Sequence, residues 1–159
     1  MGTARASQAF PGSVHDAERH WYATARWPVW IDGLDRVISL DGDWPRAGAS
    51  VTWESGPAGR GHVRERVVGF EERVGQTVEV QDDSITGRQS VTFTPAEDRV
   101  EIELRLEYKI TRSSILTPVI DFLFICRAMS RSLAQTLERF GPELAQRGQR
   151  ASTPRASID

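Results

Sequence analysis

Lysine is almost missing from this chain. Lys109 is the only one among 20 basic residues, so every other cation is an arginine. A Schiff-base or P-loop reading would rest on that one side chain, and neither has its motif here. Cysteine is as scarce. Cys126 stands alone, which excludes an intramolecular disulfide and a cysteine-based zinc cluster. His15, His20 and His62 are the only histidines, and none is spaced from another as a metal pair on a helix would be. No metal and no cofactor are expected. Gly-x-Ser-x-Gly, Walker and dinucleotide fingerprints are absent. No apolar run approaches the ~20 residues of a membrane span. The opening MGTARASQAF lacks the apolar core of a secretory signal. A cytoplasmic protein without stable membrane insertion is the expectation. The 20 basic and 22 acidic residues nearly cancel to -2, which gives no global attraction to nucleic acid.

What is present suits one soluble domain. The chain has 159 residues, 39% hydrophobic and 26% charged. A domain of this size has a radius of gyration of roughly 15 Å and buries enough surface to need no staple. Residues 4–147 are expected to form it. Residues 148–159, rich in Gly, Ser, Thr, Pro and Arg, are expected to be a disordered tail.

The hydrophobic period then changes along the chain. Residues 4–10 read as a first strand, broken by Pro11-Gly12. Ser13 is a suitable N-cap, with Asp16 placed where free backbone amides would meet it, so a helix of about 13 residues should follow. Pro28 ends it, and Val29-Trp30-Ile31 form a second short helix closed by Gly33. Strand patterns follow at Leu34–Leu40, Ser50–Ser55, His62–Glu72, Thr77–Gln81, Ile85–Thr94 and Arg99–Ile110. The last alternates cleanly, with Val100, Ile102, Leu104, Leu106, Tyr108 and Ile110 on one face and Glu101, Glu103, Arg105, Glu107 and Lys109 on the other. That is an antiparallel sheet with one wet face. From Ser114 to Phe140 the pattern is one long helix, with an apolar stripe through Val119, Phe122, Cys126, Met129, Leu133, Leu137 and Phe140; Gly141-Pro142 marks a break, after which Glu143 to Arg147 can add a turn or two. The fold class is α+β. A curved sheet of about seven strands wraps a long C-terminal helix, and two short N-terminal helices plug one side. Such a sheet should leave a cavity under its cover.

Several local patterns carry a resemblance. They are Trp27-Pro28-Val29-Trp30, the run Gly42 to Ala49, the run Trp53 to Gly61, Val63-Arg64-Glu65-Arg66-Val67, and Leu106-Glu107-Tyr108 before the final amphipathic helix. Together with the element order they resemble the START-like, helix-grip superfamily, in its polyketide cyclase/dehydrase and lipid-transport branch, over residues 5–145. The resemblance implies a hydrophobic small molecule or lipid bound between sheet and helix. It also implies, as alternatives, a cyclase/dehydrase-type enzyme or a non-enzymatic regulatory module, and it leaves room for a homodimer.

Candidate residues follow from the faces. Glu65 alternates with Val63 and Val67. If their face is the inner one, a carboxylate enters an apolar cavity and its pKa rises, making it an acid or a ligand acceptor. Tyr108 offers a hydroxyl from the apolar face of the last strand. These two are the catalytic candidates. The expected ligand wall adds Trp30 and Trp53, the inward Phe93, Leu104 and Leu106, and Phe122, Cys126 and Met129 from the helix. Cys126 is expected to be buried and inert. Arg64 and Arg66, on the other face with Val68 and Phe70, are expected to ladder with the Glu-rich final strand.

Overall fold

Alternating burial builds the sheet. In the last strand Val100, Ile102, Leu104, Leu106 and Tyr108 are buried while the residues between them are not. The computed structural model describes residues 1–57, 59–111 and 118–152, except for the side chains of 118–122 and 151–152. Its elements are β1 (Gly2–Pro11), α1 (Val14–Trp21), a 3-10 turn (Thr24–Arg26), α2 (Trp27–Trp30), β2 (Leu34–Asp41), β3 (Ser50–Ser55), β4 (His62–Glu71), β5 (Gly75–Gln81), β6 (Ile85–Ala96), β7 (Arg99–Ile110) and α3 (Pro118–Ser152). The seven strands form one antiparallel sheet in the order β1-β7-β6-β5-β4-β3-β2. This is the expected helix-grip arrangement.

Three local differences have physical causes. Helix α1 starts where expected, with the Ser13 hydroxyl accepting from the Asp16 amide at 3.1 Å. It is shorter, because Tyr22 closes it and the chain turns again at Thr24. In β4 the pairing with β5 slips between Val67 and Gly69, a bulge at Val68. A bulge bends the strand and resets the alternation. Phe70 therefore turns inward, with its ring 5.7 Å from that of Tyr22, while Val68 stays exposed. The arginines of β4 do not meet the final strand either, since β5 and β6 lie between. Arg66 instead faces Glu79 of β5 at 3.9 Å, and Arg88 of β6 reaches the same carboxylate at 3.6 Å.

The third difference is the length of α3. It does not stop near Phe140 but runs through Gly141-Pro142 to Ser152, into the stretch assigned to a tail. Pro142 removes one helical hydrogen bond, but packing on both sides of it offsets the loss. Gly141 sits against the Phe10 ring, Leu144 is buried, and buried Glu143 accepts from Arg26 Nε at 2.6 Å. The expected helix start at Ser114 and residues 153–159 lie outside the described residues.

One end of the interior is filled with aromatic rings. Phe140 packs on Trp30 at 4.9 Å, Trp21 at 5.1 Å and Phe10 at 5.5 Å between centroids, mostly edge to face. Trp21 also meets Phe93 at 6.1 Å. Such edge-to-face pairs add about 0.5–1.5 kcal/mol each beyond their buried area. The N-terminal helices thus close that end.

Candidate functional site

At the boundary of the aromatic plug the sheet and α3 part slightly. The cleft between them is walled by Trp21, Trp27, Trp53, Val78, Val91, Leu104 and Leu133, with Arg60, Glu65, Gln76, Gln89, Ser132 and Thr136 as its polar members. Its volume is about 60 Å³, room for about two waters at ~30 Å³ each. The guest-sized gap expected from the sequence is not open in this structure. Leu133 and Thr136 of α3 are buried at the cleft wall, and the Thr136 hydroxyl is held by the Asp32 amide at 3.0 Å.

Glu65 does enter this space. β4 sets it between buried Val63 and Val67, on the inner face, and β3 pairs it with Val51. Trp53 Nε1 donates to Glu65 Oε1 at 3.0 Å. No other hydrogen bond reaches the carboxylate among the described residues, and Glu65 keeps part of its surface open to the cleft. Burial pushes its pKa above the ordinary 4.5, against the smaller opposing pulls of the Trp53 N–H and the Arg60 charge. A half-satisfied carboxyl in an apolar wall is an acid and an acceptor awaiting a partner.

Sequence reasoning missed the partner beside it. Arg60 lies in the glycine-rich turn between β3 and β4, which is a hairpin: Ser55 N donates to Gly61 O at 2.9 Å. Arg60 Nε donates to Asp82 Oδ2 at 2.5 Å, and its guanidinium lies 5.7 Å from the Trp53 ring centroid. Asp82 is itself fixed, its other oxygen accepting from the amides of Ser84 and Ile85 at 2.7 and 2.8 Å. Arg60 Nη2 is buried with no acceptor. The only signal in the sequence is that Arg60 is the one charged residue in the run Gly56–Gly61.

Tyr108 is placed differently. Its hydroxyl donates to Cys126 Sγ at 2.9 Å, joining β7 to α3. Burial first, and this contact second, push its pKa well up. The two strands flanking it place glycines opposite, Gly2 and Gly87. A methyl at Gly2 would overlap the Tyr108 ring, and one at Gly87 would overlap the β7 backbone. Tyr108 does not wall the cleft that holds Glu65, so the two catalytic candidates do not share a cavity. Tyr108 borders instead an open groove of about 890 Å³ among Arg64, Arg66, Glu79, Arg88, Glu107 and Lys109. That groove mixes both charge signs and contains no part of the Glu65 constellation.

Of the remaining expected wall, Trp53 and Leu104 line the cleft. Val63, Val67, Phe93 and Leu106 are buried in the core around it. Trp30 is fully buried in the aromatic plug and does not line the cleft. Cys126 and Met129 are half-buried rather than sealed, and Phe122 falls outside the described side chains. Among the described residues, no three of His, Cys, Asp and Glu converge as metal ligands would, and no helix is long and apolar enough to cross a membrane.

Comparison with known proteins bears on this geometry. The family model described as "Polyketide cyclase / dehydrase and lipid transport" matches residues 1–145. No curated protein sequence matches the chain. Among solved structures, one domain's worth of the di-domain ARO/CYC protein StfQ, from the steffimycin biosynthetic pathway, superposes with a TM-score of 0.72 at 15% identity, covering 92% of this chain and 52% of that one. A START superfamily protein from Mycobacterium smegmatis gives 0.69 at 13% identity, covering 91% and 99%. A norcoclaurine synthase point mutant from Thalictrum flavum, in complex with a transition-state analogue, gives 0.67 at 12% identity, covering 92% and 95%. At these identities the likeness is one of fold.

Proposed function

The chain belongs to the polyketide cyclase / dehydrase and lipid transport family, and from that premise we propose that it binds a hydrophobic or aromatic small molecule or a lipid between the sheet and α3. The observation that carries this reading is Glu65: a carboxyl on the cleft wall whose pKa burial raises, held at one oxygen by the Trp53 indole. Arg60 lies on the same wall and brings a positive charge to it. Three indole rings supply a flat apolar surround. Such a site suits a guest that is apolar over most of its surface and polar at one end. The closed cleft admits it only if Leu133 and the half-exposed α3 segment above it draw back from the sheet. Titration of the protein with an environment-sensitive aromatic or fatty probe tests this. Saturable binding is expected, weakened in Glu65→Gln and lost in Leu133→Trp, whose ring fills the cleft. Non-saturable binding overturns the reading.

The same carboxyl favours a second reading, a cyclase/dehydrase-type enzyme. A carboxyl whose pKa burial raises can give and take a proton, and the Arg60 guanidinium can steady the oxyanion that forms. Tyr108 has no part in this version. StfQ is an ARO/CYC protein and the Thalictrum protein a synthase, so the fold accommodates such chemistry. Turnover of a poly-ketone substrate that Glu65→Gln abolishes while probe binding persists would select this reading.

A further inference from the structure

Among the described residues, Phe124 is the most exposed large hydrophobic side chain after the terminal Met1, at 73%, and the one exposed aromatic. Leu123 beside it is 56% exposed. Exposed apolar residues such as Val29, Val68 and Val74 stand singly, which is ordinary. Leu123 and Phe124 do not. A turn or two further along α3, Arg127 and Arg131 are exposed as well. Helical spacing sets these four side chains within about 100° of arc. Phe124 points directly away from the stripe that buries Leu133, Leu137 and Phe140. Charge on this outward face has one sign. From Leu123 to Leu137 the sequence holds no acid, and Arg127 and Arg131 are its only charged residues. Neither faces a carboxylate among the described residues, whereas Arg139 is held by Asp32 at 3.1 Å. The next acid along the face, Glu138, comes two turns past Arg131.

An occupant of this face must take up apolar surface and accept positive charge in the same place. A second copy fits badly. A two-fold contact sets a patch against itself, so the arginines of one chain would meet those of the other. A protein partner fits badly too. A stable interface covers about 800 Å² on each side, but Leu123 to Arg131 runs only about 13 Å along one helix. An anionic lipid surface meets both demands. It needs no groove, its acyl boundary receives the apolar side chains, and its headgroups receive the guanidinium groups.

We propose that the outward face of α3 at Leu123, Phe124, Arg127 and Arg131 docks the protein reversibly on an anionic lipid bilayer. No helix among the described residues can cross one, so the contact is peripheral. The face is separate from the Glu65 cleft, and its test reads vesicle binding alone, so failure here leaves probe binding in the cleft untouched. The full chain is sedimented with vesicles of phosphatidylcholine, and separately with vesicles of equal parts phosphatidylcholine and phosphatidylserine. Binding to the mixed vesicles is expected, falling as salt rises and about tenfold or more weaker on the neutral ones. Phe124→Ser should weaken it about tenfold, and Arg127→Ser and Arg131→Ser about fivefold each. All three side chains are exposed, so the variants keep the fold. Equal binding to both vesicles, wild-type binding by all three variants, or no binding overturns the proposal. In the last case, self-association that Phe124→Ser abolishes reassigns the face to a second copy, and capture of a poly-glutamate peptide reassigns it to an acidic protein.

Discussion

The two halves of α3 carry the same apolar stripe and meet different fates. In the second half Leu133, Leu137, Phe140 and Leu144 are all buried, and Phe140 packs on four other aromatic rings. In the first half Leu123 is 56% exposed and Phe124 73%, while Cys126 and Met129 are only half-covered. Hydrophobic pattern alone does not tell these halves apart. The difference comes from what stands opposite. The second half faces the N-terminal helices, which close the grip. The first half is tied to the curving sheet by the contact from Tyr108 to Cys126 and has no such cover among the described residues. The cleft with Glu65 and Arg60 lies where the covered half gives way to the uncovered one. Rigid packing thus positions a site at its own margin, a common division between scaffold and binding surface.

The largest expected effect breaks the covered half. Phe140→Ala should cost about 3–5 kcal/mol, read as a drop in the urea midpoint with little change in slope. A loss below about 1 kcal/mol would mean the plug does not carry the stability assigned to it. Next, Trp53→Phe removes the donor to Glu65 and should cost about 1–3 kcal/mol. It should also raise the Glu65 pKa further, as seen by carboxyl NMR.

Glu65→Gln should act in the opposite sense, raising stability once the wild-type carboxyl is above its folded pKa, because the desolvated charge is gone. Its pH dependence has a fixed sign. The folded-state pKa of Glu65 lies above the unfolded value. The wild-type carboxyl is therefore no handicap below pH 4.5, where both states are protonated. It becomes one as pH rises through the folded pKa. The two proteins should melt together in acid and separate toward neutral pH. A gap that widens toward acid would place Glu65 in a stabilising ion pair instead. The smallest effect belongs to the uncovered half. Phe124→Ser should change stability by less than about 0.5 kcal/mol, and a larger loss would show that Phe124 has a covering partner.

Much of this was legible in the sequence where local pattern and final environment agree. β3 and β7 begin and end where alternation says they should, because each strand has one wet face along its length. The inward direction of Glu65 followed from Val63 and Val67 for the same reason. The misses come from non-local partners. Nothing near Gly141-Pro142 announces that Arg26, from more than a hundred residues away, will hold Glu143 and keep the helix going. The bulge at Val68 answers to pairing with β5, not to its own neighbours, so Phe70 was assigned to the wrong face. Arg60 is hard to single out from sequence because its turn looks generic. Its importance arises only once Asp82, from the turn after β5, captures it. Tyr108 was read correctly as inward but not as bound to Cys126, since a face does not name its occupant.

The pairing of β1 with β7 reaches beyond the finished molecule. During synthesis Gly2–Pro11 leaves the ribosome well before its partner Arg99–Ile110, which is about ninety residues behind. At ~5–20 residues per second this leaves the leading strand without its neighbour for roughly 5–20 s. Throughout that interval Ala4 and Phe10, both buried at the end, are open to water and to other nascent chains. The order in which the chain is made therefore runs against the order in which its sheet can close.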